Sequence, residues 1–176
     1  MIREFSAKAR HSNKKAHMAF AALSSLAFAL VLASMLIDSY RGIVSLLGVL
    51  AFSGAIAIYS RYVSSEYYYD VTFDSEGTAL FVVRQITGRR QSTLCRIALY
   101  EIVRIEEEDR RAAREHKTPP GFKKYSYMPT LMPEISYRIT SVSRYEKSEI
   151  IIEASREFTD LLRAYADEAR AEYAEE

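Results

Sequence analysis

One cysteine in 176 residues, Cys95, excludes an internal disulfide framework and suits a reducing compartment. Histidine is nearly as scarce. His11, His17 and His116 fall in flanking or charged segments away from any carboxylate cluster, and their spacing suits no zinc site. No glycine-rich phosphate loop, no G-x-S-x-G and no H-E-x-x-H occurs. The run Glu106-Glu107-Glu108 reads as a strand end entering solvent rather than as an acid–base pair. No catalytic residue, metal ligand or cofactor site is therefore assigned, and the chain is expected not to be an enzyme. An Asn-x-Ser/Thr acceptor, which would hint at a translocated domain, is also missing.

Charge is absent from two long stretches. Met18 to Ile37 contains none, and Ile43 to Val63 contains none until Arg61, which can snorkel to an interface beside Tyr59 and Tyr62. Each stretch matches the ~20 apolar residues that a helix needs to cross ~30 Å of hydrocarbon. The break between them, Asp38-Ser39-Tyr40-Arg41, is too short to carry a chain back across a bilayer, so the helices must be antiparallel neighbours. The first stretch is too long for a signal-peptide core, and the second would remain in any case. Neither interior holds an ionisable residue, which disfavours an ion or proton pathway built from this chain alone.

Net charge is +1 but unevenly placed. Before Met18 stand Arg3, Lys8, Arg10, Lys14 and Lys15 against Glu4 alone, whereas from Gly42 onward 18 basic residues face 21 acidic ones. A basic flank stays cytoplasmic. The expected organisation is a basic cytoplasmic tail (1–17), a transmembrane hairpin (18–63, helices about 18–37 and 43–63) and a cytoplasmic domain (64–176). Small residues recur every four positions at Ala21, Ser25, Ala29 and Ala33, with a comparable stripe at Gly48, Ala51 and Ala55. Both suit close helix packing, within the hairpin or between copies in a homo-oligomer.

After Val63 the period changes. Aromatic and β-branched runs separated by turns predict strands at 66–73, 78–87, 91–98, 102–107, 125–130, 134–142 and 149–154, arranged as an antiparallel meander. The charged segment 107–124 is either a short solvated helix, with a pair such as Glu107 and Arg111, or a mobile loop. Ser155 begins an amphipathic helix to about 174, whose Phe158, Leu161, Leu162, Tyr165 and Ala169 share one face.

Seven strands and a C-terminal helix, together with the run Gln91-Ser-Thr-Leu-Cys-Arg-Ile-Ala-Leu-Tyr-Glu-Ile-Val-Arg-Ile-Glu106, resemble the bacterial pleckstrin-homology-like (PH-like) membrane proteins. That resemblance covers roughly residues 17 to 175. It implies an α+β membrane protein: a two-helix hairpin followed by a seven-stranded β-sandwich or open barrel capped by the helix. It also implies a bacterial inner membrane, with the N-terminus and the domain cytoplasmic. Phosphoinositide-binding members place basic residues at the first strand–turn–strand. Here that turn is Asp74-Ser75-Glu76-Gly77, so headgroup binding there is not expected.

The function expected is a non-catalytic scaffold or assembly factor whose partners are the lipid bilayer and a protein. The alternatives are a small accessory subunit of a membrane enzyme or transporter, and a weak anionic-lipid sensor. Contact with anionic lipid is expected at Lys14, Lys15, Arg61, Arg89 and Arg90. Nucleic acid is not expected, because the domain that carries most of the 13 tyrosines is acidic.

Overall fold

Residues Phe5–Lys8 form a strand, β1, where the sequence suggests only a basic tail. In the computed structural model, which describes residues 2–9, 14–37 and 39–175, β1 pairs antiparallel with β2 (Ser65–Phe73). Phe5 faces Val71, Lys8 faces Tyr68, and the Ala9 N–H donates to the Tyr67 carbonyl at 2.9 Å. Most of β1 is exposed, so its four residues carry no readable alternation. Its partner lies far along the chain. The apolar helices are thus inserted between two neighbouring strands, like an overgrown loop of a β-hairpin. The expectations attached to Arg10, His11 and Asp38 lie outside the described residues.

The inserted unit, residues 12–65, is an antiparallel pair of helices. Helix α1 spans Lys14–Leu36; α2 spans Arg41–Ile58 and continues as a π-helical turn, Tyr59–Val63. Both spans, Lys14–Leu36 and Arg41–Val63, are 23 residues long and apolar enough to cross a membrane. At 1.5 Å per residue each reaches about 35 Å. Only 11 % of the most apolar stretch of each is buried by the rest of the chain, unlike a helix in a soluble core. Hydroxyls within the helices turn back on their own carbonyls: Ser34 to Val31 at 2.7 Å and Ser53 to Val49 at 2.8 Å.

The seam between the helices follows seven-residue spacing, Ala27 to Ser34 on α1 and Gly48 to Ala55 on α2, all four buried. Ala51 is half-buried beside them. The other expected stripe lies elsewhere: Ala21, Ser25 and Ala29 are exposed and Ala33 is half-buried. The reason is geometric. Steps of four residues rotate by ~40° each and wander off a straight seam, whereas steps of seven drift by only ~20°. A Cβ on Gly48 would stand 3.4 Å from Val31 Cγ2 and 3.5 Å from the Ala27 carbonyl oxygen. Gly48→Ala should therefore be tolerated, while Gly48→Leu should lower hairpin stability by about 1–3 kcal/mol, read as a fall in the melting temperature of detergent-solubilised protein.

The second unit, residues 1–11 and 66–176 by chain tracing, holds two four-stranded sheets. The first has the order β1-β2-β3-β4, with β3 at Ala79–Thr87 and β4 at Arg90–Ala98. A 3₁₀ turn, Leu99–Glu101, leads into the second sheet, of order β5-β7-β8-β6. Its strands are β5 (Ile102–Asp109), β6 (Phe122–Ser126), β7 (Ile135–Val142) and β8 (Lys147–Ile152). The described residues thus form eight strands rather than seven, and no closed barrel. They are not a pure meander either, because β6 pairs with β8 in parallel.

That parallel pair explains the charged segment. Parallel strands cannot be joined by a tight turn; they need a crossover of about a dozen residues. Residues 110–121 supply it, leaving β5 at one edge of the sheet and reaching β6 at the other. The crossover opens with helix α3 (Arg110–Glu115), capped by Asp109, whose carboxylate accepts from the Arg111 and Ala112 N–H groups at 2.9 and 2.7 Å. Arg111 pairs with Glu115 at 3.0 Å rather than with Glu107, which lies in β5 and accepts from the Tyr137 hydroxyl.

Between the sheets lie Tyr67, Tyr69, Val71, Phe81, Val83, Ile139, Ile150 and Ile152. Helix α4 (Arg156–Glu175) closes the core with Phe158, Leu162, Ala166 and Ala169, spaced to share one face. Ser155 caps it through the Phe158 N–H at 3.2 Å. Phe5 of β1 stacks on Phe158 with ring centroids 5.7 Å apart, so the N-terminal strand completes the core. The buried Tyr69 hydroxyl stitches the sheets together: it donates to the Tyr127 carbonyl at 2.9 Å and accepts from the Glu153 N–H at 3.1 Å.

Candidate functional site: the groove between β5 and the C-terminal helix

Strand β5 and helix α4 enclose an open groove of about 190 Å³, lined by Ile102, Val103, Ile105, Ala166 and the side chains of Arg104, Asp167, Arg163 and Arg170. Its floor is apolar and its walls are arginine. Enclosed sites for small molecules run to ~300–1,000 Å³, so this volume suits individual side chains of a docked segment. A bulge between Ile102 and Arg104 breaks the pairing register and leaves Val103 half exposed at the mouth. Tyr100 stacks on Tyr173 at 4.3 Å and fastens the far end of α4.

Each arginine already has an acidic neighbour. Arg104 meets Glu106 at 2.7 Å, Arg163 meets Asp160 at 3.1 Å, and Arg170 meets Asp167. All are well exposed, and such pairs contribute about 0–1 kcal/mol, so an incoming carboxylate can exchange with them at little cost. Arg163 also donates to the Ile105 carbonyl at 3.1 Å. That bond caps the sheet edge and opposes strand addition at β5. The β4 edge is blunted similarly, by a bulge opposite Val83 and Arg84 and by the Tyr127 hydroxyl on the Leu94 carbonyl. Recognition here thus falls to side chains rather than to edge pairing.

A second charged cluster lies on the outer face of the second sheet, and the sequence reading missed it. Arg138 of β7 is buried and donates to Glu108 of β5 at 2.6 Å. Glu149 of β8, also buried, stands 3.8 Å from Arg138 and 2.9 Å from His116 Nε2 of the crossover. Two expectations are corrected. Glu108 does not run into solvent, because the crossover covers its sheet face, and His116 does not lie away from carboxylates. The cluster is structural in form: its groups face one another.

The remaining expected positions are dispersed. Lys14 and Lys15 begin α1, and Arg61 sits in the π-helical turn that ends α2, all exposed. Arg89 and Arg90 are exposed at the β3–β4 turn of the other unit. The acidic turn at Asp74 is organised by its own carboxylate, which accepts from the Glu76 and Thr78 N–H groups at 2.9 and 2.8 Å. Burial, with Glu146 adding to it, pushes the Cys95 thiol up to about 11, so it is not a nucleophile at neutral pH. Among the described residues no group of three metal-ligating side chains converges. The chain matches no known family model and shows no significant similarity to curated proteins.

Proposed function

We propose that this chain is a non-catalytic, membrane-anchored binding module that docks a carboxylate-bearing segment of a partner protein in the groove between β5 and α4. The observation that carries this reading is the groove itself: three arginines around an apolar floor, beside a sheet edge that Arg163 closes to strand addition. Charge-assisted bonds from guanidinium to carboxylate supply the recognition, and Val103 offers an apolar contact. The hairpin is the anchor, with both helices crossing the bilayer. A cytoplasmic placement of the β unit is supported by Lys14, Lys15 and Arg61, which follow the bias of basic residues to the inside.

The PH-like reading, with the bacterial inner membrane it implies, belongs to this proposal. Element order from β2 to α4 supports it, while β1 and the parallel β6–β8 pair depart from it. The test uses a fluorescent peptide alternating glutamate and leucine, added to the detergent-solubilised full chain. Binding should fall at least tenfold in Arg104→Glu/Arg170→Glu, which corresponds to about 1.4 kcal/mol. Equal binding by wild type and variant defeats the groove as the docking site.

A further inference from the structure

We propose that the open end of the helical hairpin binds the headgroups of anionic phospholipids. This rests on the reading that the hairpin spans the bilayer. Lys14 and Lys15 open α1, and the antiparallel arrangement brings the end of α2, with Arg61, beside them. Phe20 and Tyr59 make ring contact at 5.3 Å across the two helices and tie these ends together. Residues 5–37 and 39–65 contain no aspartate or glutamate, so the one acid of the unit, Asp38, belongs to the turn joining the helices. The open end is therefore cationic without local compensation from acids of its own unit.

Two details suit a phosphodiester in particular. A helix C-terminus normally presents carbonyl oxygens, which repel anions. Here the π-helical turn folds them inward: the Ser64 N–H reaches the Tyr59 carbonyl at 2.9 Å, and the Ser64 and Ser65 hydroxyls reach the Ser60 carbonyl at 3.0 and 2.7 Å. What projects from this end is then donor-rich. In addition, the Arg61 guanidinium lies 5.5 Å from the Tyr62 ring centre, which restrains it beside an aromatic side chain of the kind that settles at headgroup depth. Apolar helix faces continue directly from this cationic end, so acyl chains and headgroup meet matching surfaces of one element.

The experiment reconstitutes the full chain in vesicles of equimolar phosphatidylglycerol and phosphatidylcholine, extracts it in mild detergent, and counts retained lipids by mass spectrometry. Each cation near the headgroups contributes roughly fivefold, so phosphatidylglycerol should be enriched by about tenfold or more. Lys14→Gln/Lys15→Gln/Arg61→Gln should bring retention close to parity, as should high salt. Arg89→Gln/Arg90→Gln should leave the enrichment intact. Equal retention by the wild type, or enrichment that survives the triple variant, overturns this site alone. A chain that alkaline carbonate strips from the vesicles overturns the spanning reading and this site with it.

Discussion

Arg138→Met is expected to destabilise the β unit by about 3–5 kcal/mol, a large share of the ~5–15 kcal/mol that holds a domain folded. The substitution leaves Glu108 and Glu149 buried beneath the crossover with no guanidinium facing them. Removing all three charges should reverse the loss. In Glu108→Leu/Arg138→Met/Glu149→Leu the face becomes apolar, and stability should return to the wild-type level or exceed it by about 1–4 kcal/mol. The present packing leaves room for that gain: Arg138 Nε and Glu149 Oε2 have no protein partner, and the Arg138–Glu149 approach is long at 3.8 Å. Urea titration of the detergent-solubilised chain, followed by circular dichroism of the β unit, reads both variants. A single-variant cost below about 1 kcal/mol would mean that the cluster is hydrated and not buried in the sense used here.

Excising the membrane hairpin should yield a soluble, cooperatively folded β unit, provided β1 is kept. The register dictates the join. Ala9 and Tyr67 are neighbours across β1 and β2, so Asn-Gly in place of residues 10–66 closes a two-residue hairpin of the favoured type. Only the exposed Lys8–Glu66 pair is lost, at about 0–1 kcal/mol. A fragment of residues 66–176 should behave differently. Without β1, Phe158 loses the ring of Phe5, β2 becomes an open edge, and the loss is on the order of 3 kcal/mol or more. Gel filtration and thermal melts distinguish the outcomes: a monomeric, sharply melting joined protein against an aggregating or broadly melting fragment. Two equally well-folded products would show β1 to be dispensable.

Much of this fold was legible because its signals are local. The apolar helices, the strands from β2 to β5, β7 and β8, and the capped α4 each carry their periodicity within a single window of sequence. What escaped was set at a distance. Strand β1 has four mostly exposed residues and a partner about sixty residues away. The parallel β6 depends on a crossover whose composition looks like solvated loop, and the helix seam obeys a period of seven where the eye finds fours. The charged cluster had a signal, since Arg138 and Glu149 are lone charges inside runs of strand residues. Alternation places both on the face opposite the core, which reads as solvent until a covering segment is known. The groove could not be read, because Arg104 and Arg170 come from elements that meet only in the folded chain.

Insertion of the hairpin between β1 and β2 also sets an order of events during synthesis. β1 leaves the ribosome first, but its partner follows only after both helices have been made, some seconds later at ~5–20 residues per second. Through that interval β1 has no strand to pair with. If only one helix entered the bilayer, the membrane would separate β1 from β2, and the β unit would be left short of a strand. Completion of the sheet thereby reports that both helices have inserted, so the chain carries in its connectivity a check on its own biogenesis.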